Sequence, residues 1–142
     1  AMLGKAEDAV GIDDFSFREG SRTGLDANLE RFGFGGEATV LEGDVFELLR
    51  EGELADRRVG VFYYDAAHSY EAHLEALRLV EPWLAARALL VVDDSDWEQV
   101  GRATRDYLAA EPRARLLLEI DGKERGQPHW WEGMQVLAWE DG

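Results

Sequence analysis

One pattern constrains this chain more than any other: short apolar runs that stop at aspartate, each followed by an amphipathic stretch. Residues 9–12 (AVGI) run into Asp13 and Asp14, and residues 38–41 (ATVL) lead to Glu42, Gly43 and Asp44. Residues 59–64 (VGVFYY) end at Asp65, and residues 88–92 (ALLVV) end at Asp93 and Asp94. Runs of this length bounded by turn residues read as buried strands. The stretches between them read as helices. Leu25, Leu29 and Phe32 recur at spacings of four and three, marking one helix face. Asp44 can cap a helix carrying Val45, Phe46, Leu48 and Leu49, and Ser69 one carrying Tyr70, Leu74, Leu77 and Val80. Pro82 restarts or ends that second helix. Trp97, Val100, Ala103, Tyr107 and Leu108 trace another. Two more strands, residues 115–120 and 134–139, flank a polar loop with no helical signature. The order β-α-β-α-β-α-β-α-β-loop-β predicts an α/β fold: a doubly wound, mostly parallel sheet. The last strand pair lacks a crossover helix, so it is expected to run antiparallel.

The 142 residues carry no internal repeat and no Pro/Ser linker, so residues 1–142 are expected to form a single domain. No apolar run approaches the ~20 residues that span a bilayer. There is no cysteine, which excludes disulfides and thiolate metal sites. The formal charge of −15 repels phosphate backbones and argues against nucleic acid as a partner. The first ten residues, AMLGKAEDAV, hold no long apolar core and no twin arginine, and are read as cytoplasmic.

In an open parallel sheet, strands that run the same way end on one rim, where ligands bind. The spacing therefore predicts that Asp13, Asp14, Asp44, Asp65, Asp93 and Asp94 gather there. Each acid alone can be a helix cap. The doubled Asp93-Asp94 with Asp65 asks for more, because like charges this close raise each other's pKa unless a cation neutralises them. A hard divalent ion such as Mg²⁺ with carboxylate and water ligands would do so.

The segments VGVFYYDAAHSY (59–70) and ALLVVDDSDW (88–97), with AVGIDDFS, ATVLEGD and PHWWEGMQVL, resemble the class I S-adenosylmethionine (SAM)-dependent methyltransferases. The D-x-x-H-S-Y motif followed by D-D is similar to the small-molecule O-methyltransferase branch. The resemblance implies a Rossmann-like fold, SAM as cofactor and a small-molecule methyl acceptor, with no membrane partner. It implies that Asp13 contacts the ribose hydroxyls, with Asp14 beside it, and that Asp44 lies near the adenine. It implies a divalent metal, Mg²⁺, on Asp65, Asp93 and Asp94, with His68 as the candidate general base beside Asp65. A metal-held acceptor hydroxyl loses its proton more readily, and an imidazole titrates in the right range to take it.

The family's first strand and G-x-G loop have no counterpart here, since only twelve residues precede Asp13. The fold is therefore expected to be truncated at its N-terminus. Three arrangements follow: a fragment missing its N-terminal segment, a partner chain or second copy covering the gap, or direct pairing of the 9–12 run with the 59–64 run. Gly33-Phe34-Gly35-Gly36 follows a helix and precedes a strand, so it reads as a helix stop and not a phosphate loop. His68 can also be a local cap, and His73 reads as a structural histidine on an apolar face. His129, Trp130 and Trp131 either cover a substrate pocket or close the sheet edge. Two other functions stay open. One is a non-catalytic methyltransferase fold kept for association or small-ligand binding. The other is a phospho-acceptor receiver built on Asp13-Asp14, Asp65 and Lys123, against which the A-H-S-Y sequence and the late strand pair argue.

Overall fold

The computed structural model describes residues 9–17, 20–122 and 131–142. Expectations attached to residues 1–8, Lys123, His129 and Trp130 lie outside the described residues. The chain divides into two compact units, Ala1–Glu51 and Gly52–Gly142.

In the first unit, β1 (Ala9–Asp13), α1 (Arg22–Arg31), β2 (Ala38–Glu42) and α2 (Val45–Glu51) follow one another as expected. β1 and β2 pair in parallel, from Ala9 opposite Ala38 to Asp13 opposite Glu42. The Ser21 hydroxyl oxygen starts α1 by accepting the Gly24 N–H at 2.9 Å. Gly33, at φ +80°, takes the left-handed conformation that ends the helix. The expected face is only partly realised. Leu25 and Leu29 are half-buried, but Phe32 sits past the last turn and is exposed. The Arg31 guanidinium lies 5.5 Å from its ring centroid.

In the second unit, β3 (Val59–Tyr64), α3 (Tyr70–Val80), β4 (Leu84–Asp93), α4 (Glu98–Ala110), β5 (Ala114–Ile120) and β6 (Met134–Glu140) form a four-stranded mixed sheet with two helices. The strand order is β3-β4-β6-β5. β3 and β4 are parallel, as a strand–helix–strand crossover requires. β6 runs antiparallel to both β4 and β5, so the expected C-terminal antiparallel pair is present. Two of the four ladders are parallel.

Pro82 ends α3 through a 3-10 turn, Glu81–Trp83, that leads straight into β4. β4 therefore begins before the apolar run at residue 88, and the β3–β4 register shifts between Val59 and Val61 to accommodate it. Trp97 is not on the buried face of α4. It precedes the helix as its N-cap residue and is 43% exposed.

The core is one cluster. Leu90 and Val92 of β4 and Leu137 and Trp139 of β6 meet Leu77 and Val80 of α3 and Val100 and Tyr107 of α4. Both helices thus cover the same face of the sheet, and their packing fixes the chain ends of β3 and β4 where the acids lie.

Candidate active site

In the first unit the acids make local turns. Asp13 Oδ1 accepts the Phe15 N–H at 2.7 Å. Asp14 Oδ1 accepts the Ser16 N–H at 2.9 Å and the Ser16 hydroxyl at 2.7 Å. Those bonds, the backbone one foremost, hold the Asp14 carboxyl below its usual range. Asp44 Oδ1 caps α2, accepting from Phe46 N–H at 2.9 Å and Glu47 N–H at 3.0 Å.

In the second unit, Tyr64 and Val92 are partners in the parallel β3–β4 ladder, so Asp65 and Asp93 follow at the same end of the sheet. Asp93 is buried. Its Oδ1 accepts the Asp94 N–H at 2.9 Å, and its Oδ2 accepts the Tyr63 hydroxyl. Asp94 adopts a left-handed backbone, φ 53°. The turn after it is tied down by Trp97 N–H to the Asp94 carbonyl at 3.0 Å and Asp96 N–H to the Glu132 carbonyl at 2.9 Å. Gly133 faces this turn at φ +81°, and a Cβ there would sit 2.5 Å from Asp96 Oδ1. Both conformation and space require glycine.

This turn aims the Asp94 carboxylate at His68. The His68 Nε2 lies 2.5 Å from Asp94 Oδ2 and 3.8 Å from Asp65 Oδ1. The approach is close and is not aligned as a hydrogen bond. His68 is positioned by the turn before α3, which Ser69 caps by accepting the Ala72 N–H at 3.1 Å. The Trp97 ring lies against the imidazole, with centroids 5.2 Å apart. One ligand atom from each of Asp65, His68 and Asp94 fits within 4.8 Å of the others. Two carboxylates and an imidazole suit a divalent cation that takes oxygen and nitrogen donors. Asp93, the third acid expected at the metal, is not one of these three.

The electrostatics agree with a crowded acidic pocket. Burial, then the charges of Asp93 and Asp94, push the Asp65 carboxyl up, against the opposing pull of His68. Burial and the bond to Asp93 push the Tyr63 hydroxyl up, so it stays a donor. His73 is a different kind of histidine. It is buried, its Nδ1 lies 3.3 Å from the Ser69 carbonyl, and the Tyr64 ring meets it edge-on at 4.8 Å. Burial lowers its pKa to about 4, which matches its expected structural role. Tyr63 and Trp97 are the neighbours that sequence reasoning missed. Strand alternation places Tyr63 on the same face as Asp65, and that was the available signal.

An α/β sheet with acids at the ends of its parallel strands and an imidazole among them defines a Rossmann-like class. Within that class the chain belongs to the methyltransferase domain family, whose pattern its residues 3–95 match. The solved structures agree. CalS11, a TDP-rhamnose 3'-O-methyltransferase in calicheamicin biosynthesis, is 26% identical with a TM-score of 0.65, over 93% of this chain and 58% of that one. A protein from Corynebacterium glutamicum is 14% identical with a TM-score of 0.70, over 94% of this chain and 61% of that one. TomG, an O-methyltransferase from Streptomyces achromogenes involved in tomaymycin synthesis and solved with SAM, is 15% identical with a TM-score of 0.65, over 96% and 74%. The chain thus spans about three fifths of the length of the first two. No curated protein matches it by sequence. Among the described residues, no helix is long and apolar enough to cross a membrane.

Proposed function

We propose that this chain is a SAM-dependent methyltransferase domain that methylates a hydroxyl of a small molecule with the help of a divalent cation. The observation that carries the reading is the convergence of His68, Asp65 and Asp94 at the ends of β3 and β4. Asp65 and Asp94 would hold the cation, with Asp93 bracing the turn behind them, and the bound ion would lower the pKa of the acceptor hydroxyl. His68 takes the hydroxyl proton at Nε2, and Asp94 stabilises the imidazolium that results. Asp65 adds negative charge near the same nitrogen, 3.8 Å away. Asp13, Asp14 and Asp44 are assigned to the cofactor by family resemblance, as carboxylates able to accept bonds from ribose hydroxyls or lie beside the base. SAM supplies an electrophilic methyl, and the orientation of the acceptor oxygen governs its transfer.

The same convergence favours a second reading, in which His68 Nε2 is itself a ligand and a carboxylate takes the proton. The His68→Ala variant separates the two. In the first reading it keeps cation affinity and loses about 10²–10⁴-fold in kcat. In the second it loses affinity as well. Labelled-methyl transfer from SAM to small hydroxylated acceptors, deoxysugar nucleotides among them, reads kcat. Full activity in a folded His68→Ala variant would refute both. A non-catalytic association module is the remaining alternative, supported by Val61 and Tyr63 of the edge strand β3, exposed by 61% and 47%. Its signature would be self-association by light scattering in a folded domain that does not bind SAM.

A further inference from the structure

We propose that Tyr63 is a positioning residue, whose hydroxyl sets the Asp94 carboxylate against His68 by anchoring Asp93. This inference rests on the assignment of Asp65, His68 and Asp94 as the reactive group, and it names a residue outside that group. The argument begins with the ladder. Tyr63 is the β3 partner of Val91 on β4, so Asp93, two residues further along β4, lies on the same face of the sheet as the Tyr63 ring. Diagonal neighbours of this kind are within reach of a long aromatic side chain. The Tyr63 hydroxyl makes the contact, donating to Asp93 Oδ2.

Asp93 then transmits it. Its other oxygen accepts the Asp94 N–H at 2.9 Å, the bond that spans the start of the left-handed turn. Asp93 thus ties the Tyr63 hydroxyl and the Asp94 N–H together, one on each carboxylate oxygen. Asp94 is not glycine, and its φ of 53° is a conformation that needs support. From that conformation its side chain meets His68 Nε2 at 2.5 Å. Removing the Tyr63 hydroxyl takes a donor away from one oxygen of a buried carboxylate. The tyrosine ring would still pack on the sheet if phenylalanine replaced it. The effect of Tyr63→Phe should therefore appear at the site, with the sheet intact.

The test uses the whole chain and two readouts. The first needs no metal: ¹H–¹³C correlation spectra of the histidine rings at fixed pH. Tyr63→Phe should move the His68 ring resonances while those of buried His73 stay in place. The second is Mn²⁺ binding followed by electron paramagnetic resonance. Loss of a residue that orients ligands typically weakens metal affinity by roughly 10–100-fold, and Tyr63→Phe should fall in that range. If Tyr63 acts through Asp93, adding it to Asp93→Asn should cost less than twofold more. An unmoved His68 resonance, or effects of the two substitutions that simply multiply, would overturn the proposal. Should the unmodified chain fail to bind Mn²⁺, the metal reading falls, and the His68 spectrum alone decides the role of Tyr63.

Discussion

His68 and His73 lie on neighbouring turns, with ring centroids 6.0 Å apart, yet their surroundings prepare them for different work. His68 faces two carboxylates and is half-buried. His73 is closed in under Tyr64 with its Nε2 lacking a hydrogen-bond partner. Desolvation disfavours its charged form and lowers its pKa from 6.5 to about 4. The consequence for stability has a definite sign. Below pH 6.5 the unfolded chain takes up a proton that the folded chain refuses until about pH 4. The contribution is therefore complete above pH 6.5 and is lost as pH falls toward 4, by up to about 3 kcal/mol. Urea denaturation at pH 7 and pH 4.5 checks this: the unmodified chain should lose about 2–3 kcal/mol more than His73→Leu. Parallel losses in the two proteins would contradict it.

At the scale of elements, α3 shows how a local signal becomes a site. Ser69 caps the helix at its Ala72 N–H, and its carbonyl meets both the His73 N–H and the His73 ring. Ser69→Ala should cost about 1 kcal/mol of stability, measured by urea denaturation, and should leave the sheet intact. A neutral substitution would mean that the core, and not the cap, sets the start of α3. Caps of this kind were legible in the sequence because they depend on residues three or four apart. Asp44 and the Gly33 stop were equally plain, and so were all six strands. What the sequence hid was non-local. The insertion of β6 between β4 and β5 depends on which hydrophobic edges meet. The early start of β4 depends on a register shift against β3. Trp97 carries the right spacing for a helix face, but the turn after Asp94 places it before the helix, beside His68. Tyr63 read as one more apolar strand residue, and only the β3–β4 register brings its hydroxyl to Asp93.

For the whole molecule, the acids at the ends of the parallel strands have two fates that composition could not separate. Asp44 accepts from the first N–H groups of α2, and buried Asp93 accepts from the Asp94 N–H and the Tyr63 hydroxyl. Asp65 and Asp94 converge with His68 into a group that can take a cation or move a proton. The chain belongs to the methyltransferase domain family and spans about three fifths of the length of two of its structural relatives, and the proposed function joins that group to SAM. The proposed function requires that this chain bind SAM. Isothermal titration of SAM into the purified, folded chain with Mg²⁺ present tests it most directly. The account predicts micromolar binding that Asp13→Ala weakens by at least about tenfold, a loss of roughly 1.4 kcal/mol. No heat at millimolar SAM, from protein shown to unfold cooperatively, would contradict it and leave the fold without its chemistry.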